Sequence, residues 1–153
     1  MTGAARSSAC VFCEARDGVD ESLVVARGTL AYVILNRFPY NNGHLMVVPN
    51  RHIASLTEAA PDELSEMMQL AARAERAIRE AFAPNGLNMG LNLGQSAGAG
   101  ILDHLHLHVV PRWSGDTNFM TVVGETRVLP EELPVTAARL RPIFARLADE
   151  AAS

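Results

Sequence analysis

The chain has 153 residues, 48% of them apolar and 20% charged, with a formal net charge of −4. That length suits one domain with a real core, and the composition is globular rather than disordered. A slightly acidic chain without a basic stripe argues against a nucleic-acid polymer as partner, and no run approaches the roughly 18 apolar residues of a membrane span.

Residues 1–9 are expected to be disordered, and 10–150 to form the domain. The first eight residues lack the apolar stretch of a secretory signal, so the expected compartment is the cytoplasm. Cys10 and Cys13 are the only cysteines, spaced Cys-Val-Phe-Cys. In a reducing compartment such a pair is a redox motif or half of a metal site. No helical pattern follows it, which disfavours a thioredoxin-like arrangement.

Segments 23–26 and 30–35 read as two strands of a hairpin around Arg27-Gly28-Thr29. A loop over 36–43 follows, then a third strand over 44–49 closed by Pro49, with His52 in the next loop. Residues 61–82 form the clearest helix. Pro61 suits its first turn, Asp62 and Glu63 suit its positive end, and Leu64, Met67, Met68, Ala71, Ile78 and Phe82 mark an apolar stripe. The Met67/Met68 pair reads as core. Pro84-Asn85-Gly86 ends the helix. A fourth strand over 87–93 places Asn88 and Asn92 on one face. The loop over 94–100 contains three glycines, whose backbone N–H groups suit an anion. Past residue 113 come a loop, a short strand over 120–123, and a last helix capped by Thr136 and running to about residue 150, with Pro142 inside it.

Residues 104–110 read His-Leu-His-Leu-His-Val-Val. Strict alternation predicts a strand with His104, His106 and His108 on one face and Leu105, Leu107 and Val109 in the core. Neighbouring histidines on such a strand are about 6.6 Å apart and the outer two about 13 Å, so three imidazoles cannot share one ion without a sharp bend. Separately employed imidazoles are the stronger reading. His106, in the middle, is the candidate nucleophile; His108 is a candidate donor to phosphate or leaving group. Arg37, Arg51 and Arg112 lie near these segments as possible anion partners. Trp113 is the sole tryptophan, with an indole able to stack on a base or on a partner subunit.

His-Leu-His-Leu-His-Val-Val resembles the signature of the histidine triad (HIT) family of nucleotide hydrolases and transferases. Pro111-Arg112-Trp113-Ser114-Gly115-Asp116-Thr117-Asn118-Phe119 resembles the extension of a bacterial subgroup that includes diadenosine tetraphosphate (Ap4A) phosphorylases. The resemblance spans roughly residues 10–124. It implies an α+β fold: an antiparallel sheet of about five strands, one long crossover helix and a C-terminal helix, usually dimerised. It implies nucleotidyl transfer through His106 from a nucleotide or dinucleoside polyphosphate, with His108 and His44 assisting. It implies nucleotide contacts from Asn36, Asn92, Ala99 and Gly100; Ser96 with its hydroxyl, Arg112 with its charge and Trp113 with its indole are further candidates read from the residues themselves. Finally, His52 and His104 match the zinc ligands of relatives that carry a structural zinc, completing a set with Cys10 and Cys13. Water or phosphate as acceptor, a phosphoramidase with the same nucleophile, and a non-catalytic nucleotide binder all stay open.

Overall fold

A computed structural model describes residues 10–94, 104–116 and 130–152. Among them lie α1 (Val11–Arg16), β1 (Val24–Arg27), β2 (Ala31–Leu35), β3 (Leu45–Pro49), a 3₁₀ turn (Leu56–Glu58), α2 (Pro61–Phe82), β4 (Gly86–Leu91), β5 (Leu107–Arg112) and α3 (Leu133–Ala152). The five strands form one antiparallel sheet in the order β1-β2-β3-β5-β4. This is the expected α+β architecture. The expected disorder over 1–9 and strand over 120–123 lie outside the described residues. No described helix is long and apolar enough to cross a membrane.

The sheet separates two apolar clusters, because alternate side chains on each strand point to opposite faces. On one face α2 and α3 cover Val33, Leu35, Leu45, Val47, Leu107 and Val109. On the other, α1 covers Val24, Tyr32, Ile34, Met46 and Val48. The central strand β3 is therefore buried on both sides along its whole length. Its register places Met46 opposite His108, so the histidines share the α1 face.

Helix α1 differs from the sequence reading, which found no helical pattern after the cysteines. Six residues are too few to show a period or to be stable alone; packing makes this helix. Phe12 is 1% exposed, and the carbonyls of Phe12 and Ala15 accept from Tyr32 Oη (2.6 Å) and Arg27 Nη2 (2.8 Å). The β1–β2 turn is tied to α2 by Glu66, whose Oε2 accepts from the N–H groups of Leu30 (2.6 Å) and Ala31 (2.7 Å). A Cβ at Gly28 would fall 2.4 Å from that oxygen, which explains the glycine.

Three further boundaries shift. β4 ends at Leu91, leaving Asn92 beyond the strand. β5 begins at Leu107; His104 to His106 precede it, with Leu105 N–H bonded to the Ile53 carbonyl (2.7 Å). Thr136 does not cap α3. It sits buried in the first turn, donating to Glu131 Oε1 (2.6 Å), and the helix runs on through Pro142.

The buried face of α2 also differs from the expected stripe. It consists of Glu63, Met67, Leu70, Ala71, Ala74, Ala77 and Ile78. Small alanines let the helix approach the sheet, and that turns Met68 outward. Met67 is 4% exposed and Met68 64%. Met67→Ala should therefore cost about 2–4 kcal/mol through the cavity it leaves. Met68→Ala should stay within about 0.5 kcal/mol. Urea midpoints of the two variants measure this; equal losses would contradict the helix orientation.

Candidate active site and metal-binding cluster

The α1 face carries two constellations that meet at His104. The first joins Cys10 and Cys13 of the N-terminal segment, His52 of the β3–α2 connection and His104. Their ligand atoms all lie within 4.8 Å of one another. Cys10 Sγ is 3.3 Å and Cys13 Sγ 3.6 Å from His104 Nδ1. Cys13 Sγ is 3.3 Å and His104 Nδ1 3.2 Å from His52 Nδ1. A tetrahedral ion with bonds of about 2.3 Å to sulfur and 2.0–2.1 Å to nitrogen sets its donors about 3.3–3.8 Å apart, so these four donor pairs have close to the spacing of such a site.

Proton placement supports the same reading. The Pro49 carbonyl lies 2.9 Å from His104 Nε2 and can only accept. Nε2 therefore carries the proton, and Nδ1 turns its lone pair to the cluster. Burial lowers the pKa of His104 to about 4, keeping that ring neutral. Two buried sulfurs facing two imidazole nitrogens form a soft donor set suited to a metal cation.

The second constellation is the triad itself. His106 Nδ1 is 2.8 Å from the carbonyl of His104. That carbonyl again only accepts, so Nδ1 carries the proton and Nε2 keeps a free lone pair. Burial lowers the His106 pKa, which favours this neutral form. The ring of Phe12 packs against both His104 (5.4 Å between centroids) and His106 (5.0 Å). A single α1 residue thus holds the neighbouring imidazoles of both constellations.

His108 stands across from His106, with ring centroids 4.8 Å apart. Its Nδ1 lies 3.0 Å from His44 Nε2. Tyr40 N–H donates to His44 Nδ1 (3.0 Å), so His44 carries its proton on Nε2 and donates to His108. His108 must then carry its own proton on Nε2. The result is a lone pair on His106 beside an N–H donor on His108. Asn36 Nδ2 also approaches His44 Nε2, at a longer 3.4 Å, while Asn36 Oδ1 accepts from Phe38 N–H (2.9 Å). Gly43, at φ +86°, makes the turn before His44; a Cβ there would sit 3.0 Å from the Phe82 ring.

Comparison with known proteins fits this geometry. Residues 17–115 match the HIT domain family. The chain belongs to that family. A protein of Mycobacterium tuberculosis named AP-4-A phosphorylase is 49% identical over 127 residues, or 83% of this chain. The chain spans 65% of that relative's length. An uncharacterized HIT-like protein of Saccharolobus solfataricus is 31% identical, covering 72% of this chain and 79% of its own. Among solved structures, a Zn-bound histidine triad family protein from Mycobacterium smegmatis superposes with TM-score 0.76 at 28% identity, covering 94% of this chain and 99% of its own. A hypothetical histidine triad nucleotide-binding protein from Sulfolobus tokodaii gives 0.74 at 28% identity, covering 90% and 93%.

The remaining expected contacts of this HIT chain divide. Asn36 lies beside His44, with its Nδ2 3.4 Å from Nε2, and Asn92 is exposed just past β4. Ser96, Ala99 and Gly100 lie outside the described residues. The arginines are engaged with carboxylates: Arg37 with Asp20, Arg51 with buried Glu63, and Arg112 with Asp116. Arg112 Nη1 also donates to Asn88 Oδ1 (2.6 Å), and half-buried Trp113 follows it. Phe12, Tyr40, Asn41 and Asp116 were not singled out from sequence, because their parts depend on contacts across the fold. Only the Gly-Asp pair of the extension hinted at Asp116.

His44 gives the site a pH signature. Burial first, then the charges His108 and His106 would bear, lower its pKa to about 4. The unfolded chain takes up that proton near pH 6.5, so stability is full above 6.5 and falls as pH drops towards 4. The loss from His44 alone is about 3 kcal/mol at pH 4. Denaturant titrations from pH 8 to 4 should show a shallower acid limb for His44→Asn than for the native chain. Parallel limbs would remove His44 from this account.

Proposed function

We propose that this chain is a nucleotidyl-transferring enzyme that cleaves dinucleoside polyphosphates of the Ap4A class at an α-phosphorus. The observation that carries the reading is the Nδ1–H bond from His106 to the His104 carbonyl, which leaves Nε2 as a lone pair next to the Nε2–H of His108. The relative named AP-4-A phosphorylase supports the substrate class. His106 Nε2 attacks the α-phosphorus and a P–N bond forms. The P–O bond to the outgoing polyphosphate breaks, and its oxygen takes the proton of His108 Nε2. The His106 ring becomes positive in this step, and its Nδ1–H still faces the partial negative charge of the His104 carbonyl. An acceptor oxygen then displaces the nitrogen, returning a proton to His108. Phosphate as acceptor yields ADP from an adenylylated enzyme; water yields AMP. The name of the relative favours phosphate.

Asn36, Asn92, Ser96, Ala99, Gly100 and Trp113 are the proposed nucleotide contacts. Arg112 has an indirect part, since Asp116 and Asn88 engage its fork. A homodimer joining sheets at edge strand β4, where Met89 is exposed, and a reducing cytoplasm complete the reading. Incubation with Ap4A and inorganic phosphate should give ATP plus ADP, and His106→Ala should reduce turnover by about a thousandfold or more with nucleotide binding retained. ATP plus AMP at a rate indifferent to phosphate would make the chain a hydrolase. Rapid cleavage of an adenosine phosphoramidate, with Ap4A untouched, would replace the substrate class.

The Cys10, Cys13, His52 and His104 cluster is proposed to hold one zinc ion. Four protein ligands close the coordination sphere, so zinc there supplies a cross-link between the N-terminal segment, the His52 loop and the triad. Metal analysis should give about one zinc per chain, and Cys13→Ser or chelation should lower the thermal midpoint sharply. Protein purified without metal at undiminished thermal stability would rule this out.

A further inference from the structure

The extension after β5 takes no direct part in the chemistry above, yet its Asp116 is heavily tied. Its carboxylate accepts from Arg112 Nε (2.9 Å) and Nη2 (2.8 Å), from Trp113 N–H (3.0 Å) and from Asn41 Nδ2 (2.8 Å). Arg112 is the main reason that the Asp116 carboxyl lies well below the usual carboxylate range. Asn41 Nδ2 reaches the Pro111 carbonyl as well, at 2.8 Å. The side chain of Asn41 thereby fastens the loop before β3 to the far end of β5. Next to it in sequence, Tyr40 lays its ring under the Arg112 guanidinium, 5.2 Å from the centroid.

What this clamp holds is the tight turn around His44. His44 N–H donates to the Asn41 carbonyl (3.1 Å), and Tyr40 N–H donates to His44 Nδ1 (3.0 Å). A competing arrangement is at hand. If Tyr40 N–H moves away, His44 can take its proton on Nδ1, and its Nε2 lone pair then accepts from Asn36 Nδ2, already 3.4 Å distant. His108 Nδ1 would then face a lone pair and take the proton itself. His108 Nε2 would become an acceptor, useless for protonating an outgoing oxygen.

We propose that Asn41 and Asp116 are positioning residues that fix the tautomer of His44, and through it the Nε2–H of His108, by clamping the 40–44 turn to the end of β5. This rests on the reading of His108 as the proton donor to the leaving group.

The test is ¹⁵N NMR of imidazole-labelled protein, which needs no substrate, on Asn41→Ala and on the milder Asp116→Asn. In the native chain His44 and His108 should both show Nε2–H signatures, and His106 an Nδ1–H signature. In the variants His44 and His108 should move towards mixed tautomers, while His106, held by the His104 carbonyl, stays unchanged as an internal control. Turnover of a dinucleoside polyphosphate should fall about ten- to a hundredfold in kcat. KM should stay within about threefold. The loss should shrink for a nucleotidyl ester whose p-nitrophenolate leaving group needs no proton. Unaltered His44 shifts in both variants would overturn the proposal. So would a His106 signature that moves with the others, or changed tautomers with undiminished turnover of the polyphosphate. If the native chain cleaves the nitrophenyl ester but no polyphosphate, the substrate class falls, while the NMR shifts still decide the role of the clamp.

Discussion

The site depends on one constraint: a neutral imidazole has one N–H and one lone pair, so whatever occupies one ring nitrogen dictates the other. The Pro49 carbonyl turns the lone pair of His104 towards the sulfurs. The His104 carbonyl turns that of His106 away from the backbone. The Tyr40 N–H starts a relay through His44 that leaves His108 as a donor. Three alternating imidazoles, of which His104 and His106 precede β5 and His108 lies in it, thus receive their proton positions through backbone groups that cannot change role. Burial reinforces the scheme, since it lowers the pKa values of His44, His104, His106 and His108 and keeps each ring in the neutral form that the accounting requires.

His104 belongs to both constellations. Its ring faces Cys10, Cys13 and His52, while its carbonyl holds the tautomer of His106. Placement of the first therefore constrains the second. Phe12 strengthens the link, since its ring lies against both imidazoles and its helix carries Cys13. Helix α1 is thus part of the support of the His106 ring. The helices α2 and α3 act from the opposite face, where their alanines and leucines close over β3 and β5 and fix the strand that presents His108.

Charge is handled by pairing. Glu63 is buried and accepts from Arg51 Nε and Nη2 and from the Ala60 N–H, which secures the start of α2 rather than an anion site. Such partly desolvated, bidentate pairs act through geometry more than through net free energy, unlike the exposed pairs on α2 and α3, which contribute little. Arg37, Arg51 and Arg112 are likewise each matched to a carboxylate.

The sequence alone determined the alternation of 104–110, and with it the burial of Leu105 and Leu107 and a strand that the structure begins only at Leu107. Hairpin, long helix and closing helix were also legible, because period and turn residues are local properties of a chain. The tertiary structure decided what no period records. It made a helix of Val11–Arg16, because six residues gain their stability only by packing Phe12 under two imidazoles. It turned Met68 to solvent, because alanines let α2 settle with Met67 inward. It brought Cys10 and Cys13 to His104 across more than ninety residues of chain. It also chose the protonated nitrogen of each histidine, because that depends on carbonyl and amide groups from Pro49, His104 and Tyr40, whose approach is set by the folded backbone and not by the identity of their side chains.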